Sequence, residues 1–198
     1  RRSSDLFDII VIGAGIAGVS AAAELAADAR VLLLEIEARP GMHATGRSAA
    51  YYAPTYGNDV VQNLTAASES FFRTPPMGFA QNPLIRPRDA LFVGTSEQAE
   101  SMAGMQAESP SLTAIDAVAL TRRVPIFKPG SLTQGLVDPV GGDLDVDVIL
   151  QGYLRLFQQR GGELRTRSGV KSLRYQSGLW HIDLGDFEVS AAKVVNAA

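Results

Sequence analysis

The 198-residue chain contains no cysteine, which excludes a disulfide framework, thiolate-ligated metals and a cysteine nucleophile. Its only histidines, His43 and His181, lie far apart in sequence, too few and too scattered for a multi-histidine metal site. There is no basic run and the net charge is −3, so nucleic acid has no electrostatic footprint to follow. No apolar run approaches the ~20 residues of a membrane span. Internal repeats and low-complexity segments are also missing.

Arg1-Arg2, an apolar stretch and Ala21-Ala22-Ala23 superficially imitate a secretory signal. Asp5, Asp8 and a glycine turn interrupt the apolar core such a signal needs, so a cytoplasmic protein with a small-molecule partner is expected. What the chain does have is a 46% hydrophobic fraction, ample for one good-sized domain or two small ones.

The strongest pattern comes early. An apolar strand over residues 7–12 runs into Gly13-Ala14-Gly15-Ile16-Ala17-Gly18, then a helical stretch, a second apolar run over 30–34, and Glu35. Gly13 allows the tight strand-to-helix turn, and Gly15, lacking a Cβ, lets a pyrophosphate approach the backbone. Gly18 lets the helix lie close to the sheet, with Ala22 one turn later as a second small contact. Amides at the helix N-terminus, with its positive dipole end, suit two phosphates. The run over 30–34 is too short for a helix and reads as a buried parallel strand. Glu35 follows at about the 20-residue spacing of the acid that accepts hydrogen bonds from ribose hydroxyls. Its charge argues against a 2′-phosphate. The whole unit points to an ADP-containing cofactor, NAD or FAD.

Beyond Glu35, residues 36–56 form a long irregular segment, and such stretches in compact domains are usually functional or disordered. Residues 58–73 show helical spacing, with Val61, Leu64, Ala67, Ser68 and Phe71 on one face and Phe72 beside it, ended by Pro75-Pro76. Short strands and proline-rich turns follow. Residues 90–94 and 134–138 read as strands, and 116–123 as a short helix capped by Asp116 and stopped before Pro125. Strong patterning returns at Asp145: a helix over 148–160, a break at Gly161-Gly162, a strand over 163–167, a meander over 170–175 and 180–184, and a buried strand over 192–196. Asp143, Asp145 and Asp147 alternate as in a calcium loop, but Val148 stands where that loop needs glycine and Leu154 where it needs a bidentate acid. They read as turn and N-cap residues, and no metal site is expected.

The fingerprint, the segment Thr45-Gly46-Arg47-Ser48-Ala49-Ala50 and the closing Val194-Val195-Asn196-Ala197-Ala198 together resemble the D-amino-acid oxidase-like family of FAD-dependent oxidoreductases, over essentially the whole chain. Within it, residues 46–52, the run Leu64-Thr65-Ala66-Ala67-Ser68 with Phe71-Phe72, Pro75-Pro76 and Gln151-Gly152-Tyr153-Leu154-Arg155 are similar to the branch of bacterial D-arginine dehydrogenases. The resemblance implies an α/β fold: a Rossmann-like FAD-binding domain in two segments, 1–74 and 141–198, with an inserted, partial α+β substrate domain over 75–140. It also implies the N-terminal half of a longer enzyme. The other half would supply an arginine for the substrate carboxylate and the last flavin contacts.

FAD is thus the implied cofactor. By the same resemblance its site comprises Gly13, Gly15, Ile16, Ala17 and Gly18 at the turn, Glu35 on the adenosine ribose with Ile36 beside it, and Val170 and Ala197. Ala44, Thr45, Gly46, Arg47, Ser48, Ala49, Ala50 and Tyr51 would lie along the pyrophosphate and isoalloxazine, with Val170 offering backbone contacts to the adenine. Arg47 would contact phosphate or anchor the loop, and Ser48 would sit near the flavin N5 edge. Tyr56 matches a tyrosine near the substrate, so Ser48, Tyr51 and Tyr56 are expected nearest the chemistry; the alternative for Tyr56 is a half-buried core residue.

Two departures bear on substrate. The D-arginine dehydrogenases carry a histidine at the position of Tyr51 and, at that of Ala90, a glutamate that recognises the basic side chain. Asp89 is adjacent, but neighbouring side chains on a strand point to opposite faces. The implied reaction is oxidation of the C–N bond of a D-amino acid. The neutral amine loses its α-hydrogen as hydride to flavin N5, and water hydrolyses the imine to a 2-oxo acid and ammonia. Alternatives are FAD-dependent oxidation of a 2-hydroxy acid, a secondary amine or glycerol 3-phosphate, or, from another class, a noncatalytic FAD-binding module or inactive fragment.

Overall fold

Successive apolar residues in the two N-terminal strands face alternate sides of one sheet, and both sides are covered. The computed structural model describes residues 5–128 and 130–198, so Arg1 and Arg2 of the signal-like pattern lie outside the described residues. The chain opens with β1 (Leu6–Ile12), α1 (Ile16–Leu25), β2 (Val31–Leu34), β3 (Tyr51–Tyr52) and α2 (Asp59–Arg73). Next come β4 (Ile85–Pro87), β5 (Ala90–Gly94), α3 (Ala99–Glu108), β6 (Thr113–Asp116), α4 (Ala117–Arg123), β7 (Gln134–Asp138) and β8 (Gly142–Leu144). Last are α5 (Val146–Gln159), β9 (Glu163–Arg165), β10 (Ser172–Gln176), β11 (Leu179–Asp183) and β12 (Glu188–Asn196). Two units divide these elements: the described residues through Ser48 with Pro76–Asn82 and Val146–Ala198, and Ala49–Pro75 with Pro83–Asp145.

The first unit holds one six-stranded sheet in the order β10-β11-β12-β1-β2-β9. Strands β12, β1, β2 and β9 run parallel, while β10 and β11 add an antiparallel meander. Ile9, Val11, Val31 and Leu33 pack with Val19, Ala22 and Ala23 of α1 and with Leu150, Leu154 and Phe157 of α5. The intervening residues Ile10, Leu32 and Leu34 join Phe7, Ile182, Val189 and Ala191 in a second cluster. This two-sided burial is why β1 and β2 read as unbroken apolar runs. Each fully buried Leu, Ile or Phe contributes about 1.5–3 kcal/mol.

The closing strand differs from its expected form. The sequence predicts a buried strand over 192–196, but β12 begins at Glu188 because β11 pairs with it from Asp183↔Glu188 to Trp180↔Ala191. Beyond Ala191 the apolar clusters cover it only in part: Val194 and Val195 are half-buried and Lys193 is exposed. The meander strand β10 is exposed along its whole length.

The second unit is built from two three-stranded antiparallel sheets, β3-β8-β4 and β5-β7-β6, with α2, α3 and α4. Strands β5 and β7 fall at the expected residues, 90–94 and 134–138. Asp116 caps α4 by accepting from the Ala119 amide at 2.7 Å, and Asn58 caps α2 through the Val61 amide at 3.1 Å. Helix α3 is absent from the sequence expectation, because only Met102 of its ten residues is buried and no apolar stripe announces it. A small core of Met102, Leu112 and Leu136, with Phe92 and Met105, holds α3 against the β5-β7-β6 sheet.

Two expectations are corrected here. Asp143 is a strand residue of β8 rather than a turn residue, because its backbone pairs with Tyr51 of β3 and Arg86 of β4, while Arg88 binds its carboxylate in a fork with contacts of 2.7 and 2.9 Å. The expected segment 1–74 does not stay together either, since the chain passes into the second unit at Ala49 while Pro76–Asn82 packs with the first. Phe79 explains that return: its ring stands edge-on to Tyr153 of α5, and its carbonyl accepts from Arg155 at 2.5 Å.

Candidate functional site

The turn after β1 is shaped by what cannot be there. Gly13 has φ +96°, and a Cβ on it would sit 2.6 Å from the Ala197 carbonyl oxygen. A Cβ on Gly18 would overlap the Gly13 carbonyl oxygen, so Gly18 presses the helix against the turn itself and against Ala197 rather than against the sheet at large. Ala197 is drawn in because its amide donates to the Ile12 carbonyl at 2.8 Å. Gly13, Gly15, Ile16, Gly18 and Ala197 therefore form one local structure.

Glu35 and Thr45 close that structure from outside. The buried Glu35 carboxylate accepts from the Ala14 amide through Oε2 and from the Glu37 amide through Oε1, both at 2.9 Å. Carboxylates have about four acceptor positions, so these two bonds leave capacity for a hydroxyl donor. Thr45 Oγ1 accepts from the Ile16 amide at 3.0 Å, which occupies one first-turn donor of α1. The segment 36–48 is thus ordered over the turn: Gly41 donates to the Ala14 carbonyl at 3.0 Å, and Thr45–Arg47 forms a 3₁₀ turn. Ser48 Oγ donates to the Ala44 carbonyl at 2.6 Å. Arg47 is exposed, and among the described residues its guanidinium has no carboxylate partner.

Val170 arrives at the same edge through backbone ties. Ser168 donates to the Glu35 carbonyl at 2.8 Å and Arg167 to the Glu37 carbonyl at 2.9 Å. Ile36, 65% exposed, lies against Gly169. Glu35, Ile36 and Val170, more than 130 positions apart in sequence, become neighbours. A cleft of about 640 Å3 in this unit runs along Arg39, Thr45, Gly46 and Ser48 and is walled by Leu150, Leu154 and Arg155 of α5.

Ala49, Ala50 and Tyr51 belong to the second unit. There the Tyr51 hydroxyl donates to the Arg88 carbonyl at 2.6 Å, and the Arg88 guanidinium lies 4.9 Å from the centre of its ring. Burial, followed by the Asp138 charge, raises the Tyr51 pKa; burial, followed by Glu69, raises that of Tyr52, whose buried hydroxyl makes no well-formed hydrogen bond. Hydrogen bonding from Arg88 holds the Asp143 carboxyl below its ordinary value. Tyr56 is 71% exposed, which removes the core alternative considered for it. Tyr51 and Tyr56 line one cavity of about 330 Å3 with Tyr52, Phe72, Leu64 and Leu144. The Arg88–Asp143 pair and the buried Asp138 carry no sequence signal, since their partners are distant in the chain.

The first-unit residues fit a dinucleotide. Gly13 and Gly15 present backbone without side chains, the surface a diphosphate requires, and the Glu35 carboxylate stands at the carboxyl end of β2. Among the described residues no group of three or more acidic or histidine side chains could hold a metal, and no helix is long and apolar enough to cross a membrane.

An open sheet with four parallel strands, and a glycine turn at the end of the inner strand β1, defines a dinucleotide-binding α/β protein. The family described as FAD dependent oxidoreductase (DAO) matches residues 8–198, and the chain belongs to that family. Among solved structures, NikD, an unusual amino acid oxidase essential for nikkomycin biosynthesis, superposes with TM-score 0.84 at 23% identity over 98% of this chain and 51% of its own. The L-alpha-glycerophosphate oxidase of Mycoplasma pneumoniae with FAD bound gives 0.82 at 14% identity, over 98% and 54%. Glycine oxidase from Geobacillus kaustophilus gives 0.81 at 16%, over 98% and 55%. The chain therefore spans about half the length of the structures it matches.

Proposed function

We propose that the complete protein to which this chain belongs is an FAD-dependent oxidoreductase that oxidises the C–N bond of an amino acid, in the D configuration. The observation carrying this reading is the closure of the Gly13–Gly18 turn by Glu35, Thr45 and Ala197, in a chain matched by the family over residues 8–198. The D configuration is supported by the likeness of residues 46–52 and 64–72 to D-arginine dehydrogenases.

When bound, FAD accepts the electron pair and hydrogen released at the carbon of the C–N bond. The turn amides and α1 dipole would bind its diphosphate, Glu35 would accept from a ribose hydroxyl, and Arg47, free of a carboxylate partner among the described residues, would counter phosphate charge. Ser48, Ala49, Ala50 and Tyr51 would line the flavin ring, and Tyr56 would face the substrate. Orientation of the donor carbon is the chain's main contribution, which explains why the sequence displays no histidine, cysteine or paired-carboxylate catalytic set.

The test is to purify the full-length protein and titrate it anaerobically. A yellow flavin spectrum bleached by D-amino acids is expected. Absence of flavin removes the reading altogether. Bleaching only by a 2-hydroxy acid, sarcosine, glycerol 3-phosphate or L-amino acids removes the substrate assignment and leaves the cofactor.

A further inference from the structure

We infer that the cavity of the second unit receives a neutral, apolar or aromatic side chain of the amine donor and rejects guanidinium and ammonium side chains; this rests on the amine oxidation proposed above. At about 330 Å3 the cavity has room for a side chain of amino-acid size, and Tyr51, Tyr52, Tyr56, Phe72, Leu64 and Leu144 give it an aromatic and aliphatic wall. No carboxylate lines it among the described residues.

Four carboxylates of this unit already have partners. Asp143 is held by the Arg88 fork, and Asp89 pairs with Arg123 at 2.9 Å. Glu69 pairs with Arg73 at 2.6 Å. Asp138 is buried and accepts from the Thr55 hydroxyl at 2.7 Å and the Val140 amide at 3.0 Å. The Asp89–Arg123 pair also answers the question raised by Ala90: the adjacent acid does not replace a missing substrate carboxylate.

Aromatic walls alone can attract cations, but here one face is taken. Arg88 already stands over the Tyr51 ring, and its charge opposes a second cation. Tyr51 and Tyr52 have raised pKa values, so neither lends negative charge near neutral pH. A cationic side chain entering this cavity would lose part of its water without a lining carboxylate to replace it, whereas an apolar one gains contact area.

The experiment uses the full-length, flavin-loaded protein with phenylalanine, leucine, arginine and lysine, each as both enantiomers. For the reactive enantiomer, kcat/KM for phenylalanine or leucine is expected to exceed that for arginine or lysine by on the order of 10-fold, the scale of one or two methylene groups gaining apolar contact in a partly open cavity. Calorimetric binding of phenylacetate and guanidinoacetate gives a readout independent of turnover, with phenylacetate expected to bind more tightly. Leu64→Glu, at an exposed position that tolerates polar residues, is expected to narrow the preference by about fivefold, the scale of a partly solvated ion pair. Reduction led by arginine or lysine, equal binding of the two carboxylates, or unchanged selectivity in Leu64→Glu overturns the inference and leaves amine oxidation standing. Failure of every amino acid to reduce bound flavin overturns both.

Discussion

A methyl group at residue 18 would be driven into the Gly13 carbonyl oxygen, a backbone atom of the turn, and would touch the Ala197 methyl. Gly18→Ala is accordingly expected to lower unfolding stability by about 1–3 kcal/mol in urea titration, the usual scale of overpacking; an unchanged midpoint would contradict the packing described. Tyr52→Phe should behave oppositely, because it removes a buried hydroxyl without a well-formed partner. Stability equal to the parent, or up to about 1 kcal/mol higher, is expected. Asp143 supplies the pH dependence. Its depressed carboxyl contributes above the ordinary carboxylate value of about 3.9, and that contribution is lost as pH falls through the lower folded value. The pair with Arg88 is exposed, so Asp143→Asn should show a small loss near neutral pH and a flatter acid limb in thermal melts. Of these residues Gly18 was legible, since its spacing belongs to a local motif. Asp143 was misread, because its partner lies 55 positions away and alternating acids favour a turn reading.

Helix ends were more readable than sheet edges. Asp116 caps its helix as expected, and Asn58, the first residue of the expected helix, proves to be the cap of α2; Asn58→Ala is expected to cost about 0.5–2 kcal/mol, seen as increased amide exchange in the first turn of α2. Strands β5 and β7 match their expected residues, but β3, β4 and β8, two or three residues long, are defined by cross-chain pairing rather than by any period of their own. Helix α3 went unread for a related reason, with Met102 and Met105 carrying its inward contacts and no apolar stripe beyond them. The apolar spacing of α2 did identify a helix, yet spacing reports only which residues share a face, not what lies against it. Val61 and Leu64 line a cavity rather than a core.

For the whole molecule, the nucleotide-binding fold and the class of cofactor were visible in the first 35 residues, because strand, turn, helix and acid are contiguous there. The passage of the chain between two units was not, since it depends on Phe79 meeting Tyr153 and Arg155. FAD added to the full-length apoprotein is expected to raise its stability by about 2.7 kcal/mol at a concentration 100 times Kd, read as a concentration-dependent rise in Tm. Glu35→Ala should weaken that rise, and should also lower the apoprotein Tm by removing the acceptor of the Ala14 amide. A variant that lowered neither would separate Glu35 from both tasks.

The pairing of β1 also sets a timetable for synthesis. Its partner β2 emerges from the ribosome almost at once, but the strand on its other side, β12, is made only at Glu188–Asn196. Throughout translation of the intervening residues, one edge of the nascent sheet's future centre has open amides and carbonyls beside Ile10 and Val11. That interval is when the chain is most exposed to mispairing, and when a chaperone that shields bare strand edges would matter most.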